Sequence, residues 1–313
     1  MLTTAEALSS RSGSISFGDG PSSGRARPRR RRHEARRRAG GADGSIDRRA
    51  TVPTPATGTA GQLWDAVCGL VDPLLDASPA VVGVGCGGPM ERGGSTVSPL
   101  NIPAWREFPL LERLGDRCGV PVAIDNDAKA LALGEGRWGA AVGVDDYLAM
   151  VVSTGVGGGI VLDGRLLDGA AGNAGHIGHV IVEPDGRRCA CGGRGCLEAE
   201  TSGPAIEAMT GRPPAEASVE VRRRTGRLVG RAVASVAALL DLRLALVAGS
   251  VALGFGAEFF DAAQAELDES ARISFARGVV IGPAGLGGDG PILGAAAVGL
   301  ASLPSGITPP AAK

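Results

Sequence analysis

The first residues whose types and spacing could do chemistry are three cysteines in the second half of the chain. Cys189, Cys191 and Cys196 lie within eight residues, and His179 precedes the first of them by ten positions. Three thiolates and one imidazole complete the tetrahedral coordination of Zn²⁺ and leave no position open, which is typical of a structural site. His176 is an alternative fourth ligand, and the alternative without metal is three reduced cysteines on a surface loop. The spacing favours a structural zinc site.

A second polar group, Asp125-Asn126-Asp127, stands between an apolar stretch and a helical pattern. A carboxylate at the carboxyl end of a strand points into the crevice where α/β proteins bind ligands. Asn and Asp are also favoured at the start of a helix, where capping accounts for at least one of the three residues. The residues alone leave both capping and catalysis open.

A third candidate is the glycine-rich run from Ser153 to Gly159, which lies between two apolar segments and predicts a hairpin with its glycines in the turn. Backbone N–H groups without a Cβ nearby form a concave anion site that suits phosphate. No Gly-Lys-Ser/Thr follows, which excludes a Walker A loop, and no helix follows, which excludes a dinucleotide fingerprint. A tight hairpin is the alternative. Gly249 marks a weaker candidate, either a nucleotide-contacting turn or an ordinary strand exit.

The elements that must position these groups alternate between strand and helix patterns after residue 51, which predicts an α/β protein. Each polar group follows an apolar strand. Strands are expected at 80–86, 120–124, 146–153, 160–162 and 244–248, and helices at 105–117, 126–137, 218–240, 254–267 and 290–300.

Composition limits the class of protein. The 313 residues are 44% hydrophobic and 21% charged, as in a globular protein, which excludes disorder over the whole chain. No apolar run approaches the roughly 18 residues of a membrane span, so a membrane is not an expected partner. Six cysteines, three of them scattered, do not match a secreted disulfide framework. We therefore expect a cytoplasmic protein.

Taken in order, the motifs resemble the ROK family of repressors and sugar kinases over about residues 44–300. The most specific piece is GAAGNAGHIGHVIVEPDGRRCACGGRGCLEAETSG, residues 169–203. The others are VAIDNDAKALALGEGRWG, STGVGGGI and LVAGS. The resemblance implies an actin-like ATPase (ribonuclease H-like) fold, in which two α/β domains lie around a central cleft. It also implies a homodimer or homotetramer that binds a hexose and does not bind nucleic acid.

The resemblance further implies domain boundaries. Residues 1–44 precede the resemblance; they show neither helical nor strand periodicity, and their composition predicts a disordered segment, with out-of-frame translation as the alternative. Residues 45–125 would form an incomplete small α/β domain, and residues 126–289 a large α/β domain with the zinc loop. Residues 290–313 would be a helix returning to the small domain, followed by a tail.

The resemblance implies a role for each matching residue. Asp127 would be the general base that takes the proton of the 6-hydroxyl of the sugar, with ATP and Mg²⁺ as cofactors. Structural Zn²⁺ would fix the loop that carries the sugar ligands. Sugar contacts would come from Asn101, Asn126, His176, His179 and Glu198, nucleotide contacts from Thr154, Gly155, Gly157 and Gly249, and zinc ligands would be His179, Cys189, Cys191 and Cys196. Many members have Glu where this chain has His176, which leaves the preferred sugar open.

The N-terminus departs from the family, whose Asp-x-Gly-Gly-Thr phosphate motif is absent from residues 1–60. Residues 1–50 carry twelve Arg and five acidic residues, and 30 of the 32 basic residues of the chain are Arg, which indicates a GC-rich gene. Arg29 to Ala35 would be encoded by CGN CGN CGN CGN CAY GAR GCN, or by the AGR codons that a GC-rich gene uses less. Read one nucleotide later, these codons permit Asp-Val-Gly-Gly-Thr-Lys. The hypothesis is that residues from about 25 to 41 are translated out of frame.

Two alternatives to this hypothesis are a basic arm that binds nucleic acid or anionic surfaces and a transit peptide, which acidic residues at 6, 19 and 34 interrupt. The expected function is phosphorylation of the 6-hydroxyl of glucose or a related N-acylhexose. One alternative is a sugar-sensing transcriptional regulator, although residues 1–44 do not have the pattern of a helix-turn-helix. The other is a pseudokinase that binds sugar without turnover.

Overall fold

The computed structural model describes residues 4–9, 12–18, 44–53, 58–100 and 102–303. Asn101, expected to contact the sugar, lies outside the described residues, and so does the segment 19–43 that contains the hypothetical out-of-frame stretch. The described part forms two five-stranded sheets with helices against them. Among the described helices, none is long and apolar enough to cross a bilayer.

The first sheet has the strand order β3-β1-β2-β4-β5. β1 is antiparallel to both β2 and β3, whereas β2, β4 and β5 run parallel to one another. The carboxyl ends of β4 and β5 therefore lie at one edge of the sheet. The strands are β1 Thr4–Ser9, β2 Ser12–Gly18, β3 Arg49–Pro53, β4 Val81–Cys86 and β5 Val122–Asn126.

The expectation that residues 1–44 are disordered is wrong for two stretches, because β1 and β2 pair as a hairpin and β2 lies beside β4. The period-2 alternation in Ser14-Ile15-Ser16-Phe17 is a strand signal. The signal is weak in the sequence because residues 12–18 contain many serines and few apolar residues. Tertiary pairing with β4 supplies what local propensity lacks.

Two helices cover the first sheet, α1 Ala60–Leu75 and α2 Leu110–Cys118. α1 begins at a capping box in which Thr59 and Gln62 exchange side-chain and backbone hydrogen bonds. α2 begins five residues later than the predicted start at 105, because the preceding residues make a bridge from Phe108 to Val97 and stack Trp105 on Phe108 at 4.4 Å.

The second sheet has the order β10-β9-β6-β7-β8. β6 and β7 form an antiparallel hairpin, and β6, β9 and β10 are parallel. The helices α6 and α8 pack together against a core that includes Leu148, Val233 and Phe259. The strands are β6 Tyr147–Val152, β7 Val156–Leu162, β8 Arg165–Leu166, β9 Leu244–Ala248 and β10 Val280–Pro283. The helices beside them are α4 Leu197–Thr201, α5 Gly203–Thr210, α6 Val219–Leu240, α7 Ser250–Phe255 and α8 Ala257–Ser270.

Two helices connect the sheets, α3 Asp127–Trp138 and α9 Gly290–Ala301. α3 packs on β6 and β7, whereas α9 follows the second sheet in the chain and packs on β4 of the first. The two helices cross at Gly134 and Gly294, and a Cβ placed on Gly294 would lie 2.7 Å from the backbone of Ala130. This close crossing places the start of α3 between the two sheets.

Candidate active site

The start of α3 carries the central polar residues. Asn126 ends β5 and caps the helix: its Oδ1 accepts hydrogen bonds from the backbone N–H of Ala128 at 3.0 Å and of Lys129 at 3.4 Å. The capping interpretation is therefore confirmed for the oxygen of Asn126. The amide nitrogen points elsewhere, because a Cβ placed on Gly88 would lie 3.3 Å from it.

Asp127 is the first residue of α3 and lies at the edge where β4 and β5 end. A Cβ placed on Gly85 of β4 would be 3.6 Å from its Cα, and the next residue, Ala128, packs under Gly157 of β7. Burial, together with the charge of Asp127, raises the pKa of the Cys86 thiol. The Asp127 side chain is therefore close to the Cys86 thiol, which stays protonated.

His176 faces the same point from the other side. Its Cε1 would be 3.9 Å from the Cβ placed on Gly88, which is also next to the amide nitrogen of Asn126. The ring centroids of His176 and His179 are 6.0 Å apart. Burial lowers the pKa of His176, the neighbouring His179 lowers it further, and Glu198 opposes the shift. A neutral imidazole can donate a hydrogen bond to a hydroxyl group through one ring nitrogen and accept one through the other.

Glu198 connects the histidine segment to the glycine hairpin. Its Oε2 accepts a hydrogen bond from the backbone N–H of Val156 at 2.9 Å. The same oxygen would be 3.1 Å from a Cβ placed on Gly155. Glu198, which is expected to contact the sugar, therefore also binds Val156, the first residue of β7.

The hairpin differs from the prediction. Its turn spans Ser153 to Gly155, and Gly157, Gly158 and Gly159 lie inside β7. Gly157 and Gly159 face α3, which packs closely on the strand: a Cβ on Gly159 would lie 2.7 Å from Lys129 Cα. Gly158 faces the other side, where a Cβ would lie 3.2 Å from the Gly175 carbonyl oxygen. The expectation that Gly157 lies in the phosphate-contacting turn is wrong, since it pairs in register with Val151 within the hairpin.

The second glycine turn lies beside the first. β6 and β9 are parallel neighbours, so the turns that follow both strands lie at the same edge of the sheet. Gly249 has a φ of +100°, and a Cβ there would overlap the Val152 carbonyl. The hydroxyl oxygens of Ser153 and Ser250 are 2.9 Å apart. The turn at residues 153–155 and the turn at Gly249 and Ser250 therefore lie side by side.

The four expected zinc ligands converge. All their donor atoms lie within 4.8 Å of one another. The Sγ atoms of Cys191 and Cys196 are 3.7 Å apart, and Cys189 Sγ is 3.8 Å from His179 Nδ1. Tetrahedral Zn²⁺ with bonds of about 2.3 Å to sulfur requires separations of about 3.8 Å between thiolates. The residues fit the ion, and His179 would use Nδ1, which leaves Nε2 for another contact.

The protonation of the thiols follows from their surroundings. Burial raises the pKa of Cys196 to about 12 and also raises the pKa of Cys189. Hydrogen bonding with the backbone of Gly193 lowers the pKa of Cys191. Zinc binding would therefore displace protons from at least two of the thiols.

Two of the buried charged residues that the sequence analysis did not predict lie in α3. Glu135 in α3 accepts hydrogen bonds from the backbone N–H groups of Ala140, Gly285 and Leu286, and so connects the helix to the segment before α9. Lys129 pairs with Asp125 and Asp168. The i, i+4 spacing of Asp125 and Lys129 was the available signal, but the partner 39 residues away was not visible in the sequence.

The two five-stranded sheets and the two helices that connect them form an actin-like ATPase fold. The chain belongs to the ROK family, whose model matches residues 32–301. It is 37% identical over 226 residues to an N-acetylmannosamine kinase of Citrobacter koseri, a match that covers 67% of this chain and 78% of that protein.

Solved structures agree with this assignment. A ROK family glucokinase from Streptomyces griseus, determined with glucose and AMPPNP, matches with a TM-score of 0.74 and 27% identity over 96% of this chain and 100% of its own. A ROK hexokinase from Thermus thermophilus matches with a TM-score of 0.70 and 29% identity over 83% and 93% of the two chains.

Proposed function

We propose that this protein is an ATP-dependent hexose kinase. One observation carries the proposal: Asp127 begins α3 directly after Asn126, whose amide nitrogen lies against Gly88 together with the His176 ring, and the next residue, Ala128, packs on Gly157, two residues after the 153–155 turn. A hydroxyl group held by the first pair would face a phosphate held by the turn. The sugar kinases among the relatives support the same reaction class.

In the proposed reaction Asp127 accepts the proton of the sugar 6-hydroxyl as that oxygen attacks the γ-phosphorus of ATP. The new O–P bond forms in line as the bond from phosphorus to the β,γ-bridging oxygen breaks, and ADP leaves with the bridging oxygen. Mg²⁺ bound with ATP would neutralise charge on the phosphate oxygens. Orientation of the hydroxyl by Asn126 and His176 supplies most of the protein's contribution.

The nucleotide would lie at the edge of the second sheet. Backbone N–H groups of Thr154 and Gly155 are proposed to contact its phosphates, and Gly249 its adenosine. Gly157 lies inside β7 and not in the turn, so the proposed phosphate contacts come from Thr154 and Gly155. Zn²⁺ held by His179 and the three cysteines would not activate water; it would fix the loop that carries His179 and Glu198.

The proposed sugar is glucose or an N-acylhexose. The imidazole groups of His176 and His179 and the carboxyl group of Glu198 would contact the ring hydroxyls. The related proteins include both a glucokinase and an N-acetylmannosamine kinase. Domain boundaries near residues 125 and 290, and a homodimer or homotetramer, complete the proposal.

A panel of hexoses tests this function. We expect ADP release in a coupled assay with glucose, mannose, N-acetylglucosamine or N-acetylmannosamine, and a phosphate on oxygen 6 by ³¹P NMR. Because the phosphate motif is absent from residues 1–60, the assay is run on the chain as translated and on a chain with the frame restored over residues 25–41. Absence of ADP release from both, with hexose binding intact, would favour the pseudokinase. Specific binding to DNA without ATP consumption would favour the regulator.

A further inference from the structure

Lys129 is the one basic residue that is buried in the part of the chain that the structure describes, with 3% of its side chain exposed. Its Nζ lies 2.9 Å from Asp125 Oδ1 and 2.7 Å from Asp168 Oδ1, and it donates to the Gly172 carbonyl at 3.2 Å. An ammonium group has three N–H donors, so these three acceptors satisfy it completely.

The residue type fits the geometry. Of the 32 basic residues in the chain 30 are Arg, and one of the two Lys occupies this buried position. A compact ammonium can reach three acceptors that converge from different directions, whereas the planar fork of a guanidinium suits acceptors that lie side by side. The geometry therefore favours Lys over Arg at this position.

The cluster connects elements that are far apart in sequence. Asp125 belongs to β5 and Lys129 to α3, while Asp168 and Gly172 belong to the segment that leads from β8 to His176. The same segment is held from its other side, where Arg92 Nη2 donates to the Gly169 carbonyl at 2.7 Å.

A second contact on that side comes from Asn173, whose Nδ2 donates to the Met90 carbonyl at 3.4 Å. Met90 and Arg92 follow β4, so residues 168–173 lie between α3 and the segment after β4. Their position fixes where His176, three residues further on, meets Asn126 across Gly88.

Removal of the ammonium would change the charge of this cluster from −1 to −2. Asp125 is largely buried, and a buried carboxylate without its partner is strongly unfavourable. Burial already raises the pKa of Asp125, and Lys129 opposes that rise. Without Lys129 the segment would relieve the repulsion by moving Asp168, which is half exposed, away from α3.

We propose that Lys129 is a positioning residue: it fastens residues 168–173 to α3 and thereby sets His176 against Asn126 where the hexose binds. The inference rests on the proposed function for the identity of the ligand. The fastening itself is a property of the protein without ligand and is measured separately.

The test compares Lys129→Met with Arg117→Met. Arg117 is also paired with an aspartate, Asp72, but the pair is exposed and joins α2 to α1 away from the cleft. For Lys129→Met we expect amide hydrogen exchange in 168–176 to accelerate at least about tenfold, with exchange in α6 and zinc content unchanged. Isothermal titration should show hexose binding weakened by about tenfold or more. Arg117→Met should change neither quantity.

A second variant guards against misfolding. Asp168→Ala removes a half-exposed partner and leaves the Lys129–Asp125 pair, so we expect the same changes with smaller size. In the double variant the two effects should not add, because both substitutions remove the same ion pair between Lys129 and Asp168. Unchanged exchange at 168–176 in Lys129→Met would overturn the proposal, and so would equal acceleration in α6. If the wild-type protein binds no hexose in the panel, the proposed function fails while the exchange result still decides the fastening.

Discussion

At the scale of single residues, the sequence suggests alternative roles for some side chains, and the geometry of the structure allows one side chain to have both roles. The oxygen of Asn126 caps α3 while its nitrogen faces Gly88, and both capping and a ligand contact are compatible with one amide. His179 directs Nδ1 to the cysteines, so a zinc ligand and a sugar contact are compatible with one imidazole. The residue types were readable in the sequence; the direction of each polar atom depends on neighbours that only the fold brings close.

The zinc cluster gives a prediction at this scale. Cys191→Ser should lose about one equivalent of zinc per chain and lower the free energy of unfolding by about 3 kcal/mol or more, because loss of a structural metal is among the large single-residue effects. Metal analysis and denaturant unfolding measure both. Cys118→Ser, at a cysteine in α2 outside the cluster, is the control and should keep its zinc. A stable wild-type protein that contains no metal would refute the site.

At the scale of elements, the strands β4 and β9 and the helices α3, α6 and α9 match the sequence predictions to within one or two residues at each end. They have strong local signals, such as Ser218, which caps α6 as predicted. The predicted boundaries are wrong where contacts between residues far apart in the sequence determine the secondary structure. Gly157 to Gly159 were assigned to a turn because their packing partner, α3, is not evident in the local sequence, and the predicted helix 254–267 is divided at Gly256, which has a φ of +61°.

The helix crossing gives the prediction that belongs to elements. Gly294→Ala should destabilise the protein by about 1–3 kcal/mol, because the added methyl group meets the backbone of Ala130. Gly254→Ala is the matched control: it is also a helical glycine, but a Cβ there meets nothing within 4 Å. The control should be neutral or stabilised by up to about 1 kcal/mol. Equal unfolding midpoints for the two variants would contradict the close crossing.

At the scale of the whole molecule, the candidate site is assembled from both sheets. The β4–β5 edge contributes Asn126 and Asp127, the β6–β9 edge contributes the two glycine turns, and the 168–198 segment joins them. Strand order could not be predicted from the sequence, because it depends on pairings such as β2 with β4 across more than 60 residues. In the chain as translated, residues 12–18 occupy the position beside β4.

The reading-frame hypothesis gives the prediction for the whole chain. The restored frame would supply an apolar strand that ends in the phosphate motif, and we expect that strand to replace residues 12–18 beside β4. Resequencing across residues 25–41 decides the first part: the shifted frame should contain GAC-GNC-GGC-GGC-ACG. A shifted frame without these codons would end the hypothesis and leave the basic segment as a feature of the protein.

The central claim is that Asp127 is the base of a phosphoryl transfer to a bound hexose. The direct measurement is the turnover and hexose affinity of Asp127→Asn, made in the form of the chain that shows ATP-dependent phosphorylation, beside Asp289→Asn as an exposed control. We expect Asp127→Asn to lower turnover by about a hundredfold or more and to change hexose affinity by less than about tenfold. The control should keep full activity. If Asp127→Asn retained its turnover, Asp127 would not be the general base.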